Sequence, residues 1–470
     1  MMRHVKSIPR WLARRHHGAQ AESGPRLVEL RIAAGLFIRV RAHVEDFRRG
    51  EEAGFLICSI SRLASRDVLL AREWLPVPDN AIERYAEGSV LSWSASFNSS
   101  ALERALELNG TLVLVHSHGS PKPRFSTDDR RKEHQLFGAF SRLLGAMATG
   151  TIVLGDRDAA GSFWAAGSNT TSLDRIVIVG ETLESWTGTQ KPAAERPARR
   201  RLARQSLAIG LASDTKLGNA KVAIVGLSGG GSHVAQQLAH QGVGTIIVVD
   251  DQRIDETNLG RVVGAVEADI DATLKVEMAE RVITGIDHTI LVNKVEHRFP
   301  SPEAIAALKE ADIIVACVDR FDARENINAF ARRQLIPLVD VGLAIVSSGE
   351  RLAVADGQVA VALPGRPCLR CWLVTAAALA HEREQRPPGY DQNPDALGDP
   401  QVVSMNGTLA SEACNCVLDL ITGYSGGRRG GRFWQYEGRA GTLESYELPA
   451  HDPRCPACAQ EGFGDAAGSG

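Results

Sequence analysis

A strand-like run from Thr111 to Val115 ends in His116-Ser117-His118, and Asp129 follows after ten intervening residues, with Ser126 three positions before it. Alternate side chains of an extended chain point the same way, so the two imidazoles can share one metal ion. Two His, one carboxylate and an open fourth position make a water-activating zinc site, with a hydroxyl at Ser126 to steady an oxyanion. This chemistry also needs a general base. Glu51 lies just before the apolar run Phe55 to Ile60, where a sheet could present it to the metal's water, and Glu52 is the alternative if the register slips by one. His134 reads as a surface helix residue, and His16-His17 as part of the N-terminal tail.

Two C-x-x-C pairs, Cys368 with Cys371 and Cys455 with Cys458, suggest a second, structural zinc. A two-residue gap lets a tight turn present two thiolates to one ion, and the long interval between the pairs requires the fold to bring them together. The eight cysteines are too few and too clustered for a disulfide framework. Cys58 and Cys317 read as members of buried strands. Cys414 and Cys416 fall in a helix-like stretch whose apolar positions face a core, so they read as inert thiols rather than thioester-forming nucleophiles.

A third constellation begins where the strand Val222 to Val225 runs into Gly226-Leu227-Ser228-Gly229-Gly230-Gly231-Ser232. Glycines there let backbone amides approach phosphates at a helix N-terminus, and Asp250, ending the next strand, is placed for ribose hydroxyls. A NAD-dependent dehydrogenase would present a similar loop, and Ser228 stands where a middle glycine is usual. The residues that follow discriminate: Asn258, Arg261, Lys275, Asp319 and Asn328 supply cations and a metal-binding carboxylate suited to a triphosphate.

Elements must hold these groups. The length of 470 residues, with 44% hydrophobic and 23% charged residues, calls for two or three globular domains and excludes a disordered, collagen-like or coiled-coil chain. A net charge of -3 from 53 basic and 56 acidic residues points to no nucleic-acid or membrane surface. No apolar run approaches the roughly 18–20 residues of a membrane span, and Met1 to Gln20 lacks the core of a secretory signal, so a cytoplasmic protein is expected. Residues 1–26 form a basic tail carrying Arg3, Lys6, Arg10, Arg14 and Arg15. Residues 27–185 form an α/β or α+β domain, with strands expected at Leu36 to Val40, Phe55 to Ile60, Thr111 to Val115 and Thr151 to Leu154, and a helix at Ala101 to Leu108. A linker spans 186–200. Residues 201–463 form an α/β domain with a parallel sheet, from strands at Val222 to Val225, Thr245 to Val249, Ile313 to Val318 and Pro337 to Val341 and a helix at Ser232 to Gln241. Arg383 to Pro400 reads as a long loop, and 464–470 as a flexible end.

The first set of motifs, an acid ahead of a Gly-apolar-apolar strand, then His-x-His, then Ser-x-x-Asp, resembles the JAB/MPN (JAMM) metalloprotease family from about Leu27 to Trp164. That family cleaves after the C-terminal Gly of ubiquitin and related proteins. The resemblance implies a cytidine-deaminase-like α/β fold, zinc on His116, His118 and Asp129, proton transfer by Glu51, and support of the tetrahedral intermediate by Ser126. Gly119 stands where the family usually has Pro. From about Ala198 to Gly462 the pattern resembles the ThiF/MoeB and ubiquitin-activating-enzyme superfamily, which adenylates the C-terminal Gly of ubiquitin-like proteins. The likeness includes Arg201-Leu202-Ala203-Arg204-Gln205, both cysteine pairs and the stretch Thr408 to Leu420.

This second resemblance implies a Rossmann-like domain using ATP and Mg²⁺. Gly226, Gly229 and Gly231 would approach the phosphates and Asp250 the ribose. Asn258, Arg261 and Lys275 would neutralise charge, the last two at the α-phosphorus, and Asp319 would hold Mg²⁺. Arg204 would reach into the neighbouring site of a homodimer. Where the family often has a second Asp after the ribose acid, this chain has Gln252. The expected function is a bifunctional enzyme of a bacterial ubiquitin-like conjugation pathway: a zinc (iso)peptidase that processes or removes a ubiquitin-like protein, and an ATP-dependent activator of its C-terminal Gly. The acceptor would be a conjugating enzyme's cysteine or a sulfur donor. A sulfur-carrier pathway ending in a thiocarboxylate is an alternative, as is a non-catalytic scaffold that binds a ubiquitin-like partner.

Overall fold

The computed structural model describes residues 27–45, 51–83, 92–144, 148–164, 171–188, 199–348, 351–372, 400–429, 431–447 and 451–466. The basic tail, most of the expected linker, the loop expected at Arg383 to Pro400 apart from its last residue, and 467–470 lie outside these residues.

The first domain opens with β1 (Leu27–Ala33) and runs directly into α1 (Ala34–Val44). The strand expected at Leu36 to Val40 is therefore a helix. Leu36, Phe37, Val40 and Val44 recur at helical spacing and are buried, while Ile38 between them is 66% exposed, an arrangement period-two alternation cannot give. Next come β2 (Ala53–Arg62), β3 (Arg66–Pro76), a short hairpin of β4 (Ile82–Glu83) and β5 (Ser92–Trp93), and α2 (Ala95–Glu107). The expected helix at Ala101 thus begins six residues earlier. β6 (Thr111–His116), α3 (Thr127–Leu143), β7 (Thr149–Leu154), β8 (Asp158–Trp164), β9 (Thr171–Val179) and β10 (Leu183–Gly188) complete the domain.

Its sheet, in the order β1-β3-β2-β6-β7-β8-β10-β9, closes into a barrel through β1 and β9. β2 sends Leu56, Cys58 and Ile60 to the core shared with α1, and Phe55 and Ile57 to the core under α2 and α3. Both faces are covered, so the strand reads as a continuous apolar run. β2 pairs with β6 so that Ala53 lies opposite His116. This register brings the Glu51 end of one strand to the histidine end of the other.

The second domain enters through α4 (Ala203–Ile209) and α5 (Ser213–Asn219), then β11 (Lys221–Val225), α6 (Gly229–Gln241), β12 (Thr245–Val249), α7 (Lys275–Ile286), β13 (Leu291–Val295), α8 (Pro302–Lys309), β14 (Ile313–Ala316) and α9 (Phe321–Arg333). β15 (Leu338–Ser348), β16 (Arg351–Ala362), α10 (Val403–Thr422), β17 (Arg432–Glu437) and β18 (Thr442–Glu447) follow. The sheet order is β13-β12-β11-β14-β15-β16-β17-β18, parallel from β13 to β15 and antiparallel from there to β18. β11 has β12 on one side and β14 on the other, so the strand order reverses there. Carboxyl ends of strands at such a switch point form the usual ligand crevice of an open α/β sheet. Cys317, expected within a strand, lies just past the end of β14 and is half-buried.

The domains meet through charge. Glu29 on β1 is fully buried; it accepts from Arg31 Nε at 2.6 Å and Arg175 Nε at 2.9 Å, and Arg66 Nε stands 3.1 Å away. Arg175 also reaches Asp312 at 2.9 Å, and Arg66 reaches Glu310 at 3.1 Å, both acids belonging to the second domain. Leu183 of β10 packs on the second domain's core. The end expected to be free from Gly464 instead makes a 3-10 turn at Gly464–Ala466, because Asp465 accepts from the Arg62 backbone at 2.9 Å and pairs with Lys309 at 2.6 Å. No helix among the described residues is long and apolar enough to cross a membrane.

Candidate functional sites

α3 is aimed by its first turn. Ser126 caps it, taking the Asp129 amide at 3.1 Å, while Asp129 Oδ2 takes the Ser126 amide at 2.7 Å, a reciprocal capping box. The cap turns Asp129 toward the end of β6, where His116 Nε2 and His118 Nε2 stand 3.1 Å apart. Asp129 Oδ1 is 3.4 Å from His116 Nε2, and Oδ2 is 3.3 Å from His118 Nε2. Ligands about 2.0–2.1 Å from a tetrahedral zinc stand about 3.3 Å apart, so the three groups fit that ion. Burial alone would raise the Asp129 carboxyl, but its contacts with His116 and Ser126 hold it well below the usual carboxylate range.

The three groups open onto a cavity of about 660 Å³ that Glu51 and Ser126 also line. Glu52 is buried on another side, 3.9 Å from His43, so the geometry favours Glu51 as the acid facing the ligand set. With its Oγ engaged by the Asp129 amide, Ser126 both caps the helix and borders the cavity. His134 is exposed and packs edge-on against Trp164, 4.6 Å between centroids. Sequence reasoning missed Glu133, another lining carboxylate, although its signal was present: it is one helical turn past Asp129. Burial raises its carboxyl, against the opposing pull of Arg130.

The two cysteine pairs converge. Sγ distances are 3.8 Å for Cys368 to Cys371, 3.6 Å for Cys368 to Cys455 and 3.6 Å for Cys371 to Cys458. Sulfurs about 2.3 Å from a tetrahedral zinc lie about 3.8 Å apart, so the cluster fits. Cys368 is held below its ordinary value, by Cys458 foremost and then, against burial, by the Cys371 amide, Asn328 and Arg332. Asn328, read from sequence as part of the triphosphate set, is fully buried on α9 and accepts from the Leu369 amide at 3.2 Å. It braces the Cys368 turn.

At the switch point the glycine loop follows β11. Gly226 has φ +88, and a Cβ there would lie 2.7 Å from the Cys317 carbonyl oxygen; a Cβ on Gly231 would collide with the Gly226 carbonyl, and one on Gly229 would lie 2.5 Å from Asn406. Gly226 and Gly231 need glycine because backbone blocks a Cβ there, whereas at Gly229 the Asn406 side chain would have to shift. Asp250 spends one oxygen on the loop, accepting from the Leu227 amide at 2.8 Å, and the other on the Gln252 amide at 2.9 Å, just past its own strand. Burial raises its carboxyl, against the pull of Lys275.

Lys275, at the start of α7, is 2% exposed and donates to Ser228 Oγ at 2.9 Å and Gln252 Oε1 at 2.7 Å. The two residues that depart from the family pattern therefore meet on one ammonium. Burial lowers its pKa; Asp250 opposes that, Arg261 adds repulsion, and Asp255 and Asp319 attract. Asp250, Arg261 and Asp319, named from sequence, thus share one electrostatic neighbourhood with Lys275. Asn258 is fully buried, its amide held by Asp255 Oδ1 at 3.1 Å, and its own Oδ1 has no hydrogen-bond partner among the described residues.

Arg201 and Gln205 pin α4 to the end of α6 and to Asp287, through bonds to His240 O at 3.0 Å, Gln241 O at 2.9 Å and Asp287 Oδ2 at 2.5 Å. Arg204 is exposed on this helix, next to Leu207 and Leu211, each 80% exposed. Cys414 and Cys416 are fully buried in α10, and burial pushes both thiols well up.

Two family models match the chain. One, of prokaryotic homologs of the JAB domain, covers residues 33–167. The other, of the ThiF family, covers residues 202–457. The SAMP-activating enzyme E1 of Haloferax volcanii is 28% identical over 54% of this chain and 86% of its own length. Molybdopterin-synthase adenylyltransferase of Escherichia coli is 32% identical over 33% of this chain and 59% of its own length. The sulfur carrier protein ThiS adenylyltransferase of Escherichia coli is 30% identical over 35% of this chain and 62% of its own length. The matches to these two span less than two thirds of either relative. The longer match takes in the glycine loop, the switch-point cations and Cys368, Cys371 and Cys455, and the chain belongs to the ThiF family and carries a JAB-type domain fused ahead of the ThiF domain.

Proposed function

We propose that the chain is a bifunctional enzyme acting on one partner, a ubiquitin-like protein that ends in Gly. The observation that carries this reading is the presence, in one chain, of a His116-His118-Asp129 ligand set and a glycine loop at a sheet's switch point, whose chemistries would act in turn on one C-terminal carboxyl group, hydrolysis freeing it and adenylation activating it. His116, His118 and Asp129 would hold zinc, which when bound supplies a Lewis acid that makes water acidic near neutral pH. Glu51 takes a proton from the attacking water and returns it to the leaving amine as the C–N bond breaks. Ser126 lines the approach.

In the second domain the partner's carboxylate oxygen attacks the α-phosphorus of ATP, the bond to the β-phosphate bridge breaks, and pyrophosphate leaves. Lys275 and Arg261 offset the charge that develops, the amides of the glycine loop receive phosphate oxygens, and Asp319 would hold Mg²⁺, which when bound would shield the phosphate charge. The three relatives, each an activating enzyme or adenylyltransferase, support this half. Arg204, exposed beside two exposed leucines, supports a homodimer in which it enters the other copy's site. Burial of Cys414 and Cys416 supports direct transfer of the acyl group to an external nucleophile, without a thioester on either thiol. A conjugating enzyme's cysteine is the acceptor in the conjugation reading.

The match to a ThiS adenylyltransferase favours, as a second reading, a sulfur-carrier partner whose adenylate becomes a thiocarboxylate. Mass spectrometry after incubation with ATP-Mg²⁺, a Gly-ended candidate and either a conjugating enzyme or a sulfur donor separates the readings. A thioester on the added enzyme supports conjugation. A gain of sulfur on the candidate supports sulfur transfer. No adenylate with any Gly-ended candidate refutes both.

A further inference from the structure

The four-cysteine cluster belongs to the second domain, yet the chain on either side of it runs on to the first. Arg366, two residues before Cys368, donates from Nη2 to Glu181 at 3.0 Å, in the turn between β9 and β10. On the other side, the eight residues from Cys458 to Asp465 form a strap across the domain boundary.

The strap is held at each step. Glu461 pairs with Arg332 Nη1 at 2.8 Å and takes the Gly365 amide at 2.9 Å, so it joins α9 to the turn ahead of Cys368. The Gly462 amide donates to the Arg332 carbonyl at 3.1 Å. Phe463 lies under the Arg72 guanidinium of β3, and Arg333 Nη2 donates to the Gly464 carbonyl at 3.0 Å. Gly464 has φ +57, and a Cβ there would lie 2.6 Å from the Ile60 carbonyl oxygen, so the strap rests directly on the β2 backbone. Asp465 then takes the Arg62 amide at 2.9 Å and pairs with Lys309, the last residue of α8. Beside the strap, Leu335 from the end of α9 packs with Leu63, Val68 and Leu70 of the first domain.

Such contacts are weak singly, since an exposed ion pair contributes about 0–1 kcal/mol. Ordering a segment costs about 1–2 kcal/mol per residue in backbone entropy. The far end of the strap therefore gains from a root that is already fixed. Cys455 and Cys458 supply that root: their sulfurs stand with those of Cys368 and Cys371 at separations that fit one zinc ion. An ion there would join the strap to a turn 87 positions earlier, which Asn328 braces from α9.

We propose that the four-cysteine site, loaded with zinc, is a domain clasp: it fixes the root of the strap and so holds the β2–β3 edge of the first domain against α8 and α9. The site then does more than support the domain that carries it, whichever reaction either domain performs. The Glu29 cluster ties the domains independently, so emptying the site opens this edge without separating them.

Amide hydrogen exchange of the full-length chain, with zinc content measured on the same samples, tests the clasp. Cys458→Ser, emptied at this site, is expected to raise exchange at the Arg62 amide by about tenfold or more, the scale of a lost hydrogen bond to a charged group. Exchange along Val222 to Val225 of β11 should match wild type. Asp465→Ala, which keeps its ion, should open the same amide and calibrate full release of the strap. Wild-type protection of Arg62 in emptied Cys458→Ser overturns the clasp. Loss of protection in β11 together with Arg62 also overturns it, because the ion then holds the whole second domain rather than the boundary. If Cys458→Ser does not fold, release of the thiolate-bound zinc from folded wild type by a mercurial reagent decides on the same two readouts.

Discussion

Glu51 and Lys275 carry most of the chemistry assigned to individual residues, and each has a neighbour that makes a sharp control. Glu51 borders the cavity with the ligand set while Glu52, next in sequence, is buried toward His43. Glu51→Gln should lower cleavage of a Gly-ended fusion by about 10²–10⁴-fold with zinc content intact, and Glu52→Gln should act through stability alone. Equal loss of turnover in two well-folded variants would refute the assignment. Lys275→Ala should lower ATP–pyrophosphate exchange by about 10²–10³-fold, the scale of losing one preorganised donor at a developing charge. Ser228→Ala, which removes one of the two acceptors on Lys275, should cost less than Lys275→Ala in the same assay. The grouping of His116, His118 and Asp129 was legible because its spacing is local: one residue between the histidines, two between Ser126 and Asp129. The pairing of Lys275 with Ser228 and Gln252 was not, because it joins residues 47 and 23 positions apart that only the fold brings together. In sequence those two positions looked like losses from a family pattern; in the fold they are hydrogen-bond partners.

Elements explain why those residues arrive with the right aim. The capping box at Ser126 sets both the start of α3 and the direction of Asp129, so one substitution should disturb both. Ser126→Ala should lower the unfolding free energy by about 1 kcal/mol, a typical cap loss, and should also weaken zinc retention during dialysis. Thermal unfolding and metal analysis of the variant check this, and a cap loss with full zinc retention would show that Asp129 is aimed by something else. Strands with unmistakable β-branched runs, such as Val222 to Val225 and Thr245 to Val249, were readable from sequence because their neighbours cover both faces. α1 was misread because five residues, Leu36 to Val40, are too few to separate a 3.6 period from a buried strand. The helix shows itself only when Val44 extends the apolar spacing and Ile38 falls outside it. Asn328 was misplaced for a related reason: its partner, the Leu369 amide, is 41 residues away.

Across the whole molecule, the two domains are held by buried charge rather than by a large apolar seam alone. Glu29 carries the strongest prediction. Burial would raise its carboxyl, but Arg31, Arg175 and Arg66 outweigh that and hold it well below the ordinary value of 4.5. Its contribution is therefore complete above the unfolded pKa and is lost as pH falls toward the lower folded pKa. Glu29→Gln strips the arginines of their partner and should cost about 3–5 kcal/mol near neutral pH, and the gap from wild type should narrow below about pH 4. Denaturant unfolding across that range checks the sign; a gap that widened in acid would refute it. The C-terminal segment adds a second tie. It leaves the cysteine cluster, places Phe463 under the Arg72 guanidinium at 3.8 Å, and ends with Asp465 on Arg62 and Lys309. Asp465→Ala should raise amide hydrogen exchange at the Ile60 end of β2 while leaving the four-cysteine cluster loaded. The two-domain layout and both ligand sets were readable from the sequence, whereas this docking was not, since no local pattern marks which surface charges will pair. The central claim is that both domains act on one C-terminal glycine, and the most direct measurement is pyrophosphate exchange with a ubiquitin-like partner extended beyond its Gly. The expected result is exchange with the wild-type chain, none with Glu51→Gln, and recovery by Glu51→Gln when the partner is supplied already ending in Gly; equal exchange by both proteins on the extended partner, or none on the Gly-ended one, would contradict it.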